Sequence, residues 1–144
     1  MARELHSEID IDATPERVWS VLMDFDAYPA WNPFVTRIAG DKTEGAQLEV
    51  RLEPPGGRAM TFKPAVVKHE PNREFRWHGK IAVSGLFDGE HVFIVEPRDG
   101  GTRFVQRERF TGVLVPVLMP MIGNSTHRGF EAMNEALKAR AEAP

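Results

Sequence analysis

A chain of 144 residues with 42% hydrophobic and 27% charged content has the size and balance of one folded domain around one core, spanning 1–144. Eighteen Lys and Arg against 21 Asp and Glu leave a formal net charge of −3, which excludes a general pull toward nucleic acid or an anionic membrane. The absence of cysteine excludes disulfides, thiolate nucleophiles and sulfur-ligated zinc. Residues 1–6 carry no apolar leader pattern, and the longest apolar run, 113–122, is about half of the ~18 residues that span a bilayer. The expectation is a cytoplasmic protein with no stable membrane insertion.

Along the chain, residues 3–13 alternate: Leu5, Ser7, Ile9 and Ile11 share one face, and His6, Glu8, Asp10 and Asp12 the other. Period two predicts a half-buried strand. Thr14-Pro15-Glu16 then reads as a helix start, with a capping hydroxyl, a proline where no N–H is needed and a carboxylate at the positive helix end. Val18, Val21, Leu22 and Phe25 form its apolar stripe. The next stretch, Tyr28-Pro29-Ala30-Trp31-Asn32-Pro33-Phe34, holds two prolines that deny it a long regular helix. From about 35 to 112, turn signals divide the chain into strands at 35–41, 46–53, 58–69, 73–83, 86–96 and 102–112. A kinked apolar segment, 112–120, leads to a last helix at roughly 120–141 with the stripe Ile122, Thr126, Phe130, Met133 and Leu137.

Strands without intervening helices exclude βαβ crossovers, so the sheet is antiparallel. Its apolar face needs a cover, and the long C-terminal helix is the element left to supply it. The predicted class is α+β in a helix-grip arrangement: a curved antiparallel sheet of about six to seven strands around the C-terminal helix, with short helices after the first strand. A twisted sheet wrapped on one helix leaves room for an internal cavity.

The segments Ile9-Asp10-Ile11-Asp12-Ala13-Thr14-Pro15-Glu16-Arg17-Val18-Trp19, Leu22-Met23-Asp24-Phe25 and Tyr28 to Phe34 resemble the START-like (SRPBCC) superfamily, in its polyketide cyclase/dehydrase branch. Gly89-Glu90-His91-Val92-Phe93, Gly100-Gly101-Thr102-Arg103 and Glu108-Arg109-Phe110-Thr111-Gly112 fit the same pattern, and the likeness runs from about residue 4 to 140. It implies the helix-grip fold and a pocket for a lipid-, sterol- or polyketide-like molecule. It transfers no catalytic set, because the superfamily shares none.

Parity assigns the cavity-facing residues. On the strands these are Met60, Phe62, Pro64 and Val66; Phe75, Trp77 and Gly79; His91, Phe93 and Val95; and Phe104, Gln106, Glu108 and Phe110. Plain core packing suits the aromatic members as well. His91, Gln106 and Glu108 stand out, because a buried imidazole or carboxylate needs a partner. His91 beside Glu108 would form an acid–base pair able to remove a proton next to a carbonyl, or a structural pair that only orients a ligand. A one-residue slip of register would turn Arg76 and His78 inward in place of Trp77. Trp31 and Phe34, with Asn32 beside them, read as a lid for the mouth or as a plug in the end of the sheet. Met119, with Val115, Leu118 and Met121, offers an adaptable apolar surface, and Thr126 and Phe130 face the cavity from the helix. Arg103, Arg107 and Arg109 form an outward, solvated row with Glu90 and Glu96 opposite.

The five histidines show no metal-binding spacing, and neither a phosphate-cradling glycine loop nor a Gly-x-Ser-x-Gly elbow is present, so no metal or cofactor is expected. The functional expectation is a binder of a small hydrophobic or amphipathic molecule. The alternatives are a cyclase/dehydratase using His91 and Glu108, and a protein-interaction or co-chaperone-like domain.

Overall fold

The structure is a computed structural model that describes residues 2–144. Strand β1 (Ala2–Ile11) leads to helix α1 (Pro15–Met23), a 3₁₀ turn (Phe25–Ala27) and a single helical turn, α2 (Tyr28–Trp31). Strands β2 (Val35–Ala39), β3 (Glu49–Leu52), β4 (Met60–Phe62), β5 (Ala65–Glu70), β6 (Glu74–Lys80), β7 (Asp88–Arg98) and β8 (Gly101–Thr111) follow, and α3 (Val115–Glu142) closes the chain. The sheet order is β1-β8-β7-β6-β5, continued by β2-β3-β4, and every paired strand is antiparallel. A bridge between Gln47 and Ala65 joins the two parts. This is the predicted α+β helix-grip fold, with eight strand segments instead of six to seven. The difference lies in 58–69, which splits into β4 and β5 at Lys63-Pro64, because proline cannot donate to the ladder.

Local chemistry explains the starts and stops. Thr14 caps α1, its Oγ1 accepting from the Arg17 N–H at 3.1 Å, with Pro15 in the first turn. Helix α3 begins at Val115, five residues before the predicted start. Pro116 lies in the first turn, where a missing N–H is harmless, and Pro120 lies on the exposed side one turn later. The apolar approach is therefore helical and not a kinked connector.

Most of the core lies between the sheet and α3. Phe130, Met133 and Leu137 are fully buried there against Phe34, Trp77, Phe93 and Phe104. Burying each such side chain contributes roughly 1.5–3 kcal/mol. A second, smaller cluster holds Phe87, Phe110, Val115 and Met119. The two clusters flank the cavity described below. Among the described residues, no helix is long and apolar enough to cross a membrane.

The close seating of α3 depends on Gly129, where a β-carbon would fall inside the Phe34 ring. Gly129→Ala is expected to destabilise the fold by about 1–3 kcal/mol despite its better helix propensity, measured by urea unfolding. Tyr28, the single tyrosine, is buried and its hydroxyl donates to the Leu22 carbonyl at 2.6 Å. Burial, and secondarily the charge of Asp24, push its phenol far above the usual range. A raised value in the folded state gives stability that is fully present below the unfolded value near ~10 and is lost as pH climbs above it. The loss is about 1.4 kcal/mol per pH unit above that point. Tyrosinate absorbance is expected to rise only together with alkaline unfolding, never ahead of it.

Candidate ligand-binding cavity

The hollow in the sheet begins with two glycines. Gly79 of β6 and Gly89 of β7 are direct cross-strand partners. They share the inward parity of Trp77 and His91, so two neighbouring inward positions carry no side chain. The Phe62 ring leans over Gly79, and the Glu108 carboxylate leans over Gly89. What remains is a cavity of about 100 Å³ lined mainly by apolar groups. Leu52, Met60 and Phe62 form one side, Phe87 and Phe110 another, and Ile122 and Thr126 of α3 the roof. Met60, Lys80 and Ile81 sit at its exposed rim.

Several hollows are larger, and two of them are outer grooves with charged and polar side chains in their walls. One, of about 570 Å³, runs between α1 and the end of α3, and Trp31 lines it with Arg17 and Arg140. The other, of about 340 Å³, lies between β1 and α3 at Ser7 and Asn134. Size therefore does not point to the inner site. Its apolar walls and single inward carboxylate do.

The inward polar residues form one hydrogen-bonded line. His91 and Glu108 are cross-strand partners on β7 and β8, and Nδ1 of the imidazole lies 3.4 Å from Oε1 of the carboxylate. The imidazole Nε2 is 3.0 Å from Gln106 Oε1. Gln106 Nε2 donates to the Phe130 carbonyl at 3.2 Å and to Asn134 Oδ1 at 2.8 Å. Asn134 in turn donates to Ser7 Oγ at 2.5 Å. The His91 side chain is 3% exposed and that of Glu108 is 13% exposed, the latter reaching the cavity wall. Trp77, Phe93 and Phe130 pack around the imidazole with ring centroids 4.4–5.1 Å away.

Of the predicted residues, Met60, Phe62, Glu108, Phe110 and Thr126 line this cavity. Trp77, His91, Phe93, Gln106 and Phe130 point inward too, but stand behind its wall as fully buried core. Met119 is buried in the smaller cluster and does not border the cavity. Trp31 and Phe34 are corrections. Trp31 faces the outer groove and meets Tyr28 edge-on at 5.2 Å, whereas Phe34 plugs the core against Phe130 at 5.8 Å. Asn32 is a turn residue, its Oδ1 accepting from the N–H groups of Phe34 and Val35. The register question resolves with Trp77 inward and with Arg76 and His78 outward, where they meet Glu74, Glu90 and Asp88. Arg103 of the outward row pairs with Glu8 and Asp10 of β1. Sequence reasoning missed Leu52, Phe87, Gly89 and Ile81 as lining residues. Phe87 and Gly89 share the parity of His91, and Ile81 that of Trp77, so extending each alternation by one or two steps finds them. Among the described residues, no three His, Asp or Glu gather in a way that would hold a metal ion.

Comparison with known proteins agrees with this architecture. The family described as polyketide cyclase / dehydrase and lipid transport matches residues 2–142. A START superfamily protein from Mycobacterium smegmatis superposes with a TM-score of 0.73 at 23% identity, covering 96% of this chain and 97% of its own. The di-domain ARO/CYC BexL of the BE-7585A biosynthetic pathway gives a TM-score of 0.78 at 13% identity. The match takes in 99% of this chain but only 51% of BexL, so the chain spans about half of that protein. A norcoclaurine synthase from Thalictrum, solved with a transition-state analogue, gives 0.72 at 13% identity, covering 98% of this chain and 94% of its own. At these identities the structural likeness is one of fold. No curated protein matches the sequence significantly.

Truncating the polar line tests its role in stability. Gln106→Leu strands the Asn134 carbonyl oxygen and an imidazole nitrogen in the core, and is expected to cost about 1–3 kcal/mol in urea unfolding. Ser7→Ala, at the outer end of the line, is expected to cost less.

Proposed function

The chain belongs to the polyketide cyclase / dehydrase and lipid transport family, and from that membership we propose that its sheet–helix cavity binds a small apolar or amphipathic molecule. The observation that carries this reading is the hollow over Gly79 and Gly89, walled by Phe62, Phe87, Phe110 and Ile122 and touched by one inward carboxylate. Apolar walls supply affinity and a single polar group supplies orientation. The volume of about 100 Å³ holds only a ring-sized head, against the roughly 300–1,000 Å³ of pockets that engulf a drug-sized ligand. The rest of a larger molecule would lie on the rim, where Met60 and Ile81 are 43% and 42% exposed. A whole sterol or polyketide enters only if the first turns of α3 move away from the sheet.

The His91–Glu108 geometry favours a second reading, in which the pair performs acid–base chemistry on the bound head. A carboxylate at the wall of a largely apolar cavity, backed by an imidazole, has the components needed to take a proton from a carbon next to a carbonyl.

Titration of ¹⁵N-labelled protein with toluene is expected to shift amides at Phe62, Gly79, Gly89, Phe110 and Thr126. Ile122→Trp, which fills the mouth, is expected to weaken that binding at least tenfold while the protein stays folded. Shifts confined to the outer groove around Arg17 and Trp31 would overturn the cavity reading. The catalytic reading is checked by deuterium incorporation into the methyl group of acetophenone in D₂O. Catalysed exchange that Glu108→Gln slows by about 10²–10⁴-fold supports it, and exchange unaffected by that substitution removes it.

A further inference from the structure

The buried line fixes hydrogen positions, and these define what the cavity can recognise. Both protons of the Gln106 amide are used, toward the Phe130 carbonyl and Asn134 Oδ1. Reversing that amide would set its oxygen against two other oxygens. Asn134 is fixed in the same sense, because its Oδ1 accepts from the Gln106 amide, which the Phe130 carbonyl orients. The atom Gln106 turns to His91 is therefore an oxygen, and at 3.0 Å it accepts a hydrogen from Nε2. The other ring nitrogen, Nδ1, faces Glu108 Oε1.

With Oε1 turned to His91, the second carboxyl oxygen, Oε2, is left as an acceptor. It leans over Gly89, where a β-carbon would lie only 2.5 Å from it, and among the described residues it has no hydrogen-bond partner. Lys80 lines the same cavity from an exposed position, where water solvates its ammonium. Resting on the binding reading above, we propose that the cavity selects an uncharged ligand with a ring-sized apolar head whose hydroxyl donates to Glu108 Oε2. A charged head group loses its hydration on entry to these apolar walls, an ammonium beside Lys80 and a carboxylate beside the Glu108 carboxyl group. A neutral hydroxyl gains an acceptor that no protein group occupies. Gln106 and Asn134 are positioning residues here, holding His91 so that Glu108 keeps Oε2 free.

The test compares four ligands of one ring size, phenol, toluene, benzoate and benzylammonium, titrated into the ¹⁵N-labelled full chain. Toluene is the more easily dehydrated of the neutral pair, so a preference for phenol must come from the acceptor. The expected result is phenol binding at least tenfold tighter than each of the other three. Glu108→Leu is expected to abolish the preference over toluene while toluene still binds. Long-range ¹H–¹⁵N spectra of the wild-type protein are expected to show His91 Nε2 protonated from about pH 6 to 8, a readout that needs no variant. Toluene or a charged ligand matching phenol overturns the proposal while leaving cavity binding intact, and so does an unprotonated Nε2. Failure of all four ligands to bind overturns the binding reading itself, and this inference with it.

Discussion

The buried amides of Gln106 and Asn134 join the middle of β8 to the middle of α3 with a hydrogen bond of 2.8 Å. Hydrophobic packing alone would allow the helix to slide or roll along the sheet, because dispersion and area burial are not directional. A buried hydrogen bond is directional, and leaving it unmade costs about 1–3 kcal/mol. It therefore selects one seating of α3, and that seating sets Ile122 and Thr126 as the roof of the cavity. The same two amides run outward to Ser7 on β1 and inward to His91 on β7. Three strands and the long helix thus share one polar line through an otherwise apolar core.

Beside this line, the absence of side chains does as much as their presence. Gly129 lets the helix backbone come down onto Phe34, which pulls the C-terminal half of α3 close and leaves no space there. Gly79 and Gly89 act in the opposite sense, removing volume from the sheet under the N-terminal half. The helix–sheet interface is consequently filled where Gly129 meets Phe34 and hollow over Gly79 and Gly89. The hollow falls between the two apolar clusters, so Leu52 and Phe62 on one side and Phe87 and Phe110 on the other can wall it without either cluster being disrupted.

The fold was legible because its signals are local and redundant. Alternation from Leu5 to Ile11, the Thr14-Pro15 start and the Gly- and Pro-marked turns each specify an element without knowledge of the others. The inward trio of His91, Gln106 and Glu108 was legible for the same reason, as polar residues flanked by apolar ones of like parity. The pairing of His91 with Glu108 needed the β7–β8 register, which sequence offered only as a possibility. The cavity border was less legible. Trp31 and Phe34 are neighbours in a Pro-rich stretch, yet Phe34 turns into the core and Trp31 onto the outer groove, through a turn that Asn32 closes. Nothing in residue type separates those two outcomes. Pro116 and Pro120 suggested a broken segment, yet Pro116 falls in the first turn of α3, where a missing N–H is harmless, and Pro120 is carried inside the helix.

The polar line also constrains both proposed readings of the cavity. An imidazole free in a cavity can take up or release protons at either nitrogen, and its tautomer follows the ligand. His91 is not free in that sense, because Gln106 holds one nitrogen as a donor and Glu108 occupies the other. Its influence on a bound molecule therefore passes through the carboxyl group, the one part of the line that reaches the cavity. Binding and acid–base chemistry then differ only in what the ligand presents to Glu108 Oε2. An O–H left in place makes the site a receptor for that hydroxyl. An acidified C–H makes it a base whose proton load His91 can share. On the two proposed readings the same buried geometry would serve both, and the ligand's own acidity would determine which of them follows.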